Sequence, residues 1–314
     1  MNEMVSTRTG FGHGLLELAA ARPDILVTSA DTYRSFALGD YVNQFPDRYF
    51  EFGIAEQCMI TASGAMANEG YTVFSVGYSP FLSMRAVEQI RTFVAYPNLN
   101  VKIVAGLSGL SGDTDGVTHQ GTEDLGIMRT IPNMTVLCPA DAVAAKAFVK
   151  IAADLDTLVY LRLGRGATPV IYPENQEFTL GKAVRVRDFG TDMAILAAGP
   201  CVGEAAKAAE ALREKGIGAR VLDMHTVKPL DEALVLKAAK ETGCIVTTEE
   251  HSIIGGLGSA VAEYLSGTCP VPVVRHGVED VFGRSGKAGE VLAAYGLTAQ
   301  GIVEKVRTAL EQKR

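Results

Sequence analysis

The first candidate for chemistry in this sequence is a carboxylate, Glu56, that lies among small and apolar residues. The segment that follows, from Met59 to Met66, is mostly apolar and predicts a largely buried helix. A buried carboxylate is unfavourable unless it is protonated or paired. Two interpretations follow: a helix N-terminal Glu satisfied by backbone N–H groups, or an acceptor for a protonated heterocyclic nitrogen in an acid–base relay.

A second candidate is the polar segment from Asp115 to Gln120, whose sequence is D-G-V-T-H-Q. It follows a predicted strand, Val101–Ala105, and loops at the carboxyl ends of parallel strands are where such sheets bind ligands. In such a loop Asp115 and His119 can contact sugar hydroxyls, and His119 can move a proton. The alternative is a turn built from Asp and Gly, with a histidine that bonds only within its own loop.

Together these two segments resemble the transketolase family of thiamine-diphosphate-dependent enzymes. The family's G-I-A-E-Q motif is found at Gly53–Gln57, and its D-G-x-T-H-Q motif is found at Asp115–Gln120. The resemblance covers nearly the whole chain, but it corresponds only to the second half of a full-length transketolase. Further matching segments lie at Arg8, Ser29–Asp31, Leu161–Arg165, His225–Asp231 and Glu249–Gly258.

The resemblance implies that four residues bind the cofactor, thiamine diphosphate. Glu56 matches the glutamate that hydrogen-bonds the pyrimidine ring, and it is therefore expected to be catalytic. Tyr78 and Phe81 match aromatic residues that pack against that ring, although such a pair is also common in a hydrophobic core. Asp31 matches an aspartate near the cofactor and the substrate. Met84 stands where long transketolases commonly have a third aromatic residue.

The resemblance also implies a group of substrate-binding residues. His119, expected to be catalytic, and Asp115 match residues that contact hydroxyls at the reacting end of a ketose donor. Arg8, Ser35 and Arg165 match a cluster that holds the distal sugar phosphate, a task that suits the bidentate donors of arginine. Without the resemblance, each arginine would be interpreted as part of an ordinary surface ion pair.

One position departs from the family pattern. Leu107 stands where many transketolases have a histidine that helps to hold the phosphate. The loss of this donor leaves a branched sugar phosphate or a sulfosugar open as the substrate. The sequence does not identify the donor and acceptor sugars.

The family's diphosphate- and magnesium-binding motif is missing from this sequence. That motif is G-D-G with downstream asparagines, whereas Gly112–Thr114 has the sequence G-D-T and no such asparagines follow. The resemblance therefore implies that a partner chain, the N-terminal section of a split transketolase, supplies the diphosphate-binding domain and the Mg²⁺ ligands. We expect no metal ligands in this chain, and an α2β2 heterotetramer that is active only when both subunits are present.

The elements that position these residues alternate between β-branched apolar runs and helical patterns. This alternation predicts an α/β fold of two domains, each with a mainly parallel sheet flanked by helices. By resemblance these are the pyrimidine-binding domain, residues 1–175, and the transketolase C-terminal domain, residues 193–314, joined by a Gly- and Pro-containing linker, 176–192. In the first domain we predict strands at Ile25–Ser29, Thr72–Val76, Thr135–Cys138 and Leu158–Leu163, and helices at Ala55–Asn68, Met84–Ala95 and Ala142–Ala153, the last N-capped by Asp141.

Composition excludes several classes of partner. The 36 acidic residues outnumber the 29 basic ones, and a net charge of −7 gives no general basic field for nucleic acid. No apolar run reaches the roughly 18 residues of a membrane span, and no signal peptide is recognisable, so no membrane partner is expected. The five cysteines are scattered and unpaired in spacing, which indicates buried, reduced thiols in a cytoplasmic protein.

The function that these expectations favour is transfer of a two-carbon ketol unit from a ketose phosphate to an aldose phosphate, as in pentose phosphate metabolism. A deoxyxylulose-phosphate synthase normally carries both halves on one chain. The β subunit of a 2-oxo-acid dehydrogenase shares the two domains and the glutamate, but the segment Asp115–Gln120 favours transketolase. A scaffold subunit without catalytic activity is the non-enzyme alternative. A dinucleotide-binding module is disfavoured because Gly255–Gly258 is not G-x-G-x-x-G.

Overall fold

Two mainly parallel sheets, each flanked by helices, form the framework of the chain, and this confirms the predicted α/β fold of two domains. The computed structural model describes residues 3–111 and 115–313. The G-D-T segment at residues 112–114 lies outside the described residues. We call the part built on the seven-stranded sheet the first unit, and the part built on the five-stranded sheet the second unit.

The first unit contains short strands that alternate with helices. Its strands are β1 Met4–Ser6, β2 Ile25–Ser29, β3 Tyr49–Glu51, β4 Thr72–Tyr78, β5 Val101–Gly106, β6 Thr135–Leu137, β7 Val159–Arg162 and β8 Ala167–Pro169. Its helices are α1 Thr7–Ala21, α2 Gly39–Gln44, α3 Glu56–Asn68, α4 Val87–Gln89, α5 Asp124–Thr130 and α6 Ala142–Ala153.

The second unit repeats this alternation on a smaller sheet. Its strands are β9 Val184–Asp188, β10 Met193–Ala197, β11 Ala219–Asp223, β12 Thr226–Lys228, β13 Ile245–Ser252 and β14 Val273–Val278. Its helices are α7 Cys201–Arg213, α8 Glu232–Thr242, α9 Leu257–Thr268, α10 Ala288–Ala294 and α11 Ala299–Gln312.

The two sheets share one strand connection that the sequence pattern does not reveal. The larger sheet has the order β12-β6-β7-β5-β4-β2-β3, and the smaller has the order β14-β13-β10-β11-β9. All neighbours are parallel except β12 against β6 and β9 against β11. Thus β12, which follows β11 along the chain, leaves the second unit to form an edge of the first sheet. Strand β9 lies within the segment that the sequence predicts to be a linker.

Helix α1 packs closely against α6 through glycines. A Cβ atom added to Gly14 would lie 2.8 Å from the carbonyl oxygen of Lys146, and one added to Gly10 would overlap the backbone of Ala142. Glycine is therefore required at both positions for this approach. Helix α6 begins as predicted, with Asp141 as its N-cap: the side chain accepts a hydrogen bond of 2.8 Å from the N–H of Ala144.

The predicted helix Met84–Ala95 is wrong in its start and in its type. The structure has π-helical turns at Phe81–Arg85 and Ile90–Ala95, separated by the single α-helical turn α4. A π-helical turn accommodates an extra residue, so a pattern of 3.6-residue periodicity does not detect it. Such turns often occur near functional sites, and the first of the two carries Phe81 and Arg85.

The prediction that all five cysteines are buried is wrong for two of them. All five are free thiols, but Cys58 is exposed on α3 and Cys269 is half-buried. No helix in the described residues is long and apolar enough to cross a membrane.

A buried carboxyl at the end of β11 gives a prediction about stability. Asp223 is fully buried and accepts a hydrogen bond of 2.7 Å from the hydroxyl of Tyr172. Burial, with a smaller contribution from Asp141, raises the pKa of Asp223 to about 8. The folded chain therefore keeps a proton that the unfolded chain releases near pH 4, so its stability falls as the pH rises towards 8.

We expect Asp223→Asn to remove this loss. Burial lowers the pKa of His225 to about 4, which opposes the effect below about pH 6.5, so the test is clearest between pH 6.5 and 8. Urea unfolding should show the parent losing up to about 2 kcal/mol over that interval and the variant losing clearly less. The exposed Asp156→Asn serves as control. Parallel losses in parent and Asp223→Asn would contradict the prediction.

Candidate active site

The candidate residues lie where neighbouring strands of the first sheet end. Strands β2, β4 and β5 are adjacent and parallel, so their carboxyl ends meet at one edge. Asp31 follows β2, Tyr78 ends β4, and Leu107 follows β5. The sheet therefore brings distant parts of the sequence to the same edge, as the alternation of strands and helices predicts.

Glu56 is the first residue of α3, and its carboxylate is buried in an ion pair. Only 2% of the residue is exposed, and its Oε2 accepts a hydrogen bond of 2.7 Å from Nη1 of Arg85. Arg85 itself remains 45% exposed. Within the described residues an arginine, and not the backbone N–H groups of α3, supplies the partner. The sequence indicates that a buried Glu56 needs a cation, but it does not identify Arg85.

Three rings form the wall next to this ion pair. The ring centroid of Phe81 lies 6.3 Å from that of Tyr78 and 5.1 Å from that of His119. The guanidinium carbon of Arg85 lies 4.4 Å from the centroid of Phe81, so the same arginine contacts both the ring and the carboxylate of Glu56. The structure thus brings together the predicted residues Glu56, Tyr78, Phe81 and His119.

A second group carries two arginines and joins the first through Tyr78. The hydroxyl of Tyr78 lies 2.9 Å from that of Ser35. Arg8 donates from Nη2 to the carbonyl oxygen of Arg165 at 3.0 Å, and Arg165 forms an ion pair with Asp115. All the predicted substrate-binding residues other than His119 therefore lie in this group, and His119 contacts it through the ring of Tyr78 at 5.9 Å.

Arg8 has unused capacity to bind an anion. Its Nε is buried and has no hydrogen-bond partner among the described residues. Burial, together with the neighbouring charge of Arg165, lowers the pKa of Arg8 below its usual value. A cation that is withdrawn from water beside a second cation is stabilised by an anionic ligand. Leu107, in contrast, is 1% exposed and contributes no polar group.

Asp31 stands apart from these two groups. It is exposed, its φ is 56°, and its N–H donates to Oε1 of Glu51 at 2.7 Å. Within residues 3–111 and 115–313, no hydrogen bond or ion pair joins Asp31 to the other candidates. In the same ranges no three His, Cys, Asp or Glu side chains converge to hold a metal ion.

Below the loop that carries Asp115 and His119 lies a buried ion pair that sequence reasoning missed. Nε of Arg162 lies 2.9 Å from Oδ2 of Asp124, which also accepts 2.8 Å from the hydroxyl of Tyr160. Burial alone would raise the pKa of Asp124, but the charge of Arg162 reverses this and holds the pKa below its usual value. In the sequence Arg162 stands only within a matching segment, and no local signal pairs it with an aspartate in another element.

Comparisons with known proteins follow the same division of the chain. A family model described as "Transketolase, pyrimidine binding domain" matches residues 3–170, and one described as "Transketolase, C-terminal domain" matches residues 181–302. Together these matches extend over most of the chain, including both sheets.

Two curated relatives and one solved structure are similar over nearly their whole length. One of the two subunits of an apulose-4-phosphate transketolase from Phocaeicola vulgatus is 42% identical, over 99% of this chain and 98% of that protein. A 6-deoxy-6-sulfo-D-fructose transketolase subunit of Clostridium sp. is 44% identical, over 95% and 92%. The solved structure, "Split gene transketolase, inactive beta4 tetramer", is 42% identical, has a TM-score of 0.91, and matches 99% of this chain and 100% of its own.

The buried ion pair gives a prediction about stability. Replacing Arg162 by Ala leaves Asp124 buried without its cation, so we expect the free energy of unfolding to fall by about 3–5 kcal/mol. The matched control is Lys146→Ala, which breaks the exposed pair with Glu17 and is expected to cost about 1 kcal/mol or less. Urea unfolding at neutral pH measures both. Equal costs for the two variants would show that Asp124 does not depend on Arg162.

Proposed function

Because the chain belongs to the transketolase family, we propose that it is one subunit of a split, thiamine-diphosphate-dependent transketolase. It would transfer a two-carbon ketol unit from a ketose phosphate to an aldose phosphate. The observation that carries this proposal is the buried carboxylate of Glu56, held by Arg85 beside the rings of Phe81, Tyr78 and His119. A carboxylate fixed next to an aromatic wall suits a flat, protonated nitrogen heterocycle.

The cofactor proposal is consistent with the donors and acceptors present. Thiamine diphosphate, when bound, supplies the nucleophilic carbon that accepts the two-carbon unit. Glu56 would accept a hydrogen bond from a ring nitrogen of the pyrimidine, and its ion pair with Arg85 fixes the carboxylate for that role. Tyr78 and Phe81 would exclude water from the ring, and Asp31 would lie at the edge of the same site.

Substrate binding is assigned to the group around the two arginines. His119 would move a proton at the reacting end of the sugar, and Asp115 would accept from a sugar hydroxyl. Arg8, Ser35 and Arg165 would hold the distal anionic group, and the unpartnered Nε of Arg8 supports this assignment. In this arrangement the ion pair between Asp115 and Arg165 orients the arginine towards the anion.

The partner is proposed from what this chain lacks and from how its relatives are named. No candidate metal cluster lies among the described residues, so the diphosphate and Mg²⁺ would be held by an N-terminal-section subunit. The similar proteins are named as subunits, and the similar β4 assembly is described as inactive. We therefore propose an α2β2 heterotetramer. The free thiols accord with the proposed cytoplasmic location.

The first experiment tests the role of Glu56. Glu56→Gln and Glu56→Ala should each lower kcat of the enzyme assembled with its partner by at least about 100-fold, because the acceptor for the pyrimidine is lost or weakened. Glu69→Gln, an exposed change at the other end of the same helix, should leave kcat unchanged. Steady-state assays with added thiamine diphosphate and Mg²⁺ give the comparison.

Two results of this experiment would contradict the proposal. The first is a Glu56→Ala enzyme that retains most of its activity. The second is a parent chain that shows no cofactor-dependent activity with its partner, which is the outcome expected of a scaffold subunit. Oxidative decarboxylation of a 2-oxo acid by the assembled parent would instead favour a dehydrogenase β subunit.

The second experiment tests the sugar. Relatives at 42% and 44% identity are named for apulose 4-phosphate and 6-deoxy-6-sulfo-D-fructose, and Leu107 leaves one donor fewer for a phosphate. We keep an unbranched ketose phosphate as the main proposal and a branched or sulfonated sugar as the second. A kcat/KM comparison of xylulose 5-phosphate with those two sugars decides between them. The second proposal fails if xylulose 5-phosphate is clearly the best donor.

A further inference from the structure

The loop that carries Asp115 and His119 is anchored in the second unit by an apolar side chain. Leu110, on the part of this loop that follows β5, is fully buried. It forms a small core cluster with Val278, Val291 and Leu297, all from the second unit. Residues of the first unit therefore contribute to a core that belongs mainly to the other unit, and separating the two would expose Leu110 to water.

A buried carboxylate of the second unit holds the same part of the loop. Glu250, on β13, is 2% exposed, and its Oε1 accepts a hydrogen bond of 2.6 Å from the N–H of Ser111. A Cβ atom on Gly109, whose φ is 79°, would lie 2.5 Å from the carboxyl group of Glu250. The loop thus has a glycine where Glu250 approaches its backbone, and only glycine fits there without strain.

The far side of the loop is held as well. Nε2 of Gln120 donates to the carbonyl oxygen of Arg284 at 2.9 Å, and the N–H of Ser252 donates to that of Thr122 at 2.7 Å. The guanidinium group of Arg162 donates from Nη2 to the carbonyl oxygens of Gly121 and Glu250, at 3.2 and 2.9 Å. Contacts with the second unit therefore lie on both sides of Asp115 and His119.

We propose that the second unit is a positioning element for the substrate loop, and that Glu250 is its principal positioning residue. The functional part of this inference rests on the proposed roles of Asp115 and His119. Glu250 touches neither of them, and it acts by fixing the backbone from which they extend. Glu56, Arg85 and Phe81 receive no such support from Glu250, so cofactor binding and substrate positioning depend on different contacts.

The energetics agree with a positioning role. Burial raises the pKa of Glu250, while the charge of Arg162 and the N–H groups of Ser111 and Leu110 oppose that shift. A carboxylate in such surroundings is stabilised mainly by the donors of the loop, so the loop and Glu250 order each other. Loss of the acceptor leaves the N–H of Ser111 buried without a partner, and the loop is then free to leave its position.

Hydrogen–deuterium exchange on the isolated chain tests the positioning directly and needs no partner. Glu250→Ala should speed exchange of peptides that cover residues 107–111 and 115–121 by about tenfold or more. Glu250→Gln keeps the size and one acceptor oxygen, so it should restore most of the protection. The control is Val306→Ala, a cavity in the core of the second unit on α11, which should leave this loop protected. If Glu250→Ala does not fold, Leu110→Ala replaces it with the same expectation.

Kinetics of the enzyme with its partner subunit test the functional consequence. Glu250→Ala should lower kcat/KM for the ketose donor by about 100-fold through misplacement of the loop, and the Kd of thiamine diphosphate should stay within about twofold of the parent value. Glu250→Gln should recover most of the activity. Equal effects of Glu250→Ala and Val306→Ala, or a parallel loss of cofactor affinity, would overturn the inference.

The two arms also separate this inference from the proposed function. A parent enzyme that is inactive with its partner contradicts the proposed function, while the exchange measurement still decides whether Glu250 positions the loop. An active parent whose loop exchange is unchanged by Glu250→Ala contradicts the positioning role and leaves the proposed function intact.

Discussion

Removing a carboxylate from water costs several kcal/mol unless a cation or several N–H donors compensate for the lost hydration. Three carboxylates at the edge of the first sheet are under this constraint, and each is met by a group from a different element. Glu56 on α3 pairs with Arg85 of a π-helical turn, and Asp124 on α5 pairs with Arg162 on β7. Glu250 pairs with the loop after β5. Compensation of buried charge therefore joins the elements of the candidate site.

Most strands could be predicted from the sequence because each is a short, apolar and β-branched run with one local signal. The strands Ile25–Ser29 and Met193–Ala197 have the predicted bounds. Helix α1 was not predicted, since Gly10, Gly12 and Gly14 weaken the helical pattern. Those glycines serve close packing on α6, which is a property of two helices and not of one segment. The crossing of β12 into the first sheet is likewise a tertiary choice that leaves no local pattern.

The candidate site could be predicted in part for the same reason. Burial of Glu56 follows from its apolar neighbours, and the position of the loop with Asp115 and His119 follows from parallel-strand topology. The cation that pairs with Glu56 could not be identified, because several basic residues lie at comparable distances along the sequence. Glu250 stands in the sequence only within a matching segment of the second unit, and its contact with Ser111 joins residues far apart in the chain. Long-range pairing of this kind depends on the completed fold.

The arrangement separates the two ends of the site energetically. The contacts that hold Glu56 all come from the first unit, whereas the loop with Asp115 and His119 is held by Leu110, Glu250 and Gln120 against the second unit. Contributions from groups without shared partners are close to additive. A change in the second unit can therefore move the residues proposed to contact the sugar without disturbing the carboxylate proposed to contact the cofactor. In a family whose members accept different sugars with one cofactor, this separation lets the substrate site vary while the cofactor site stays fixed.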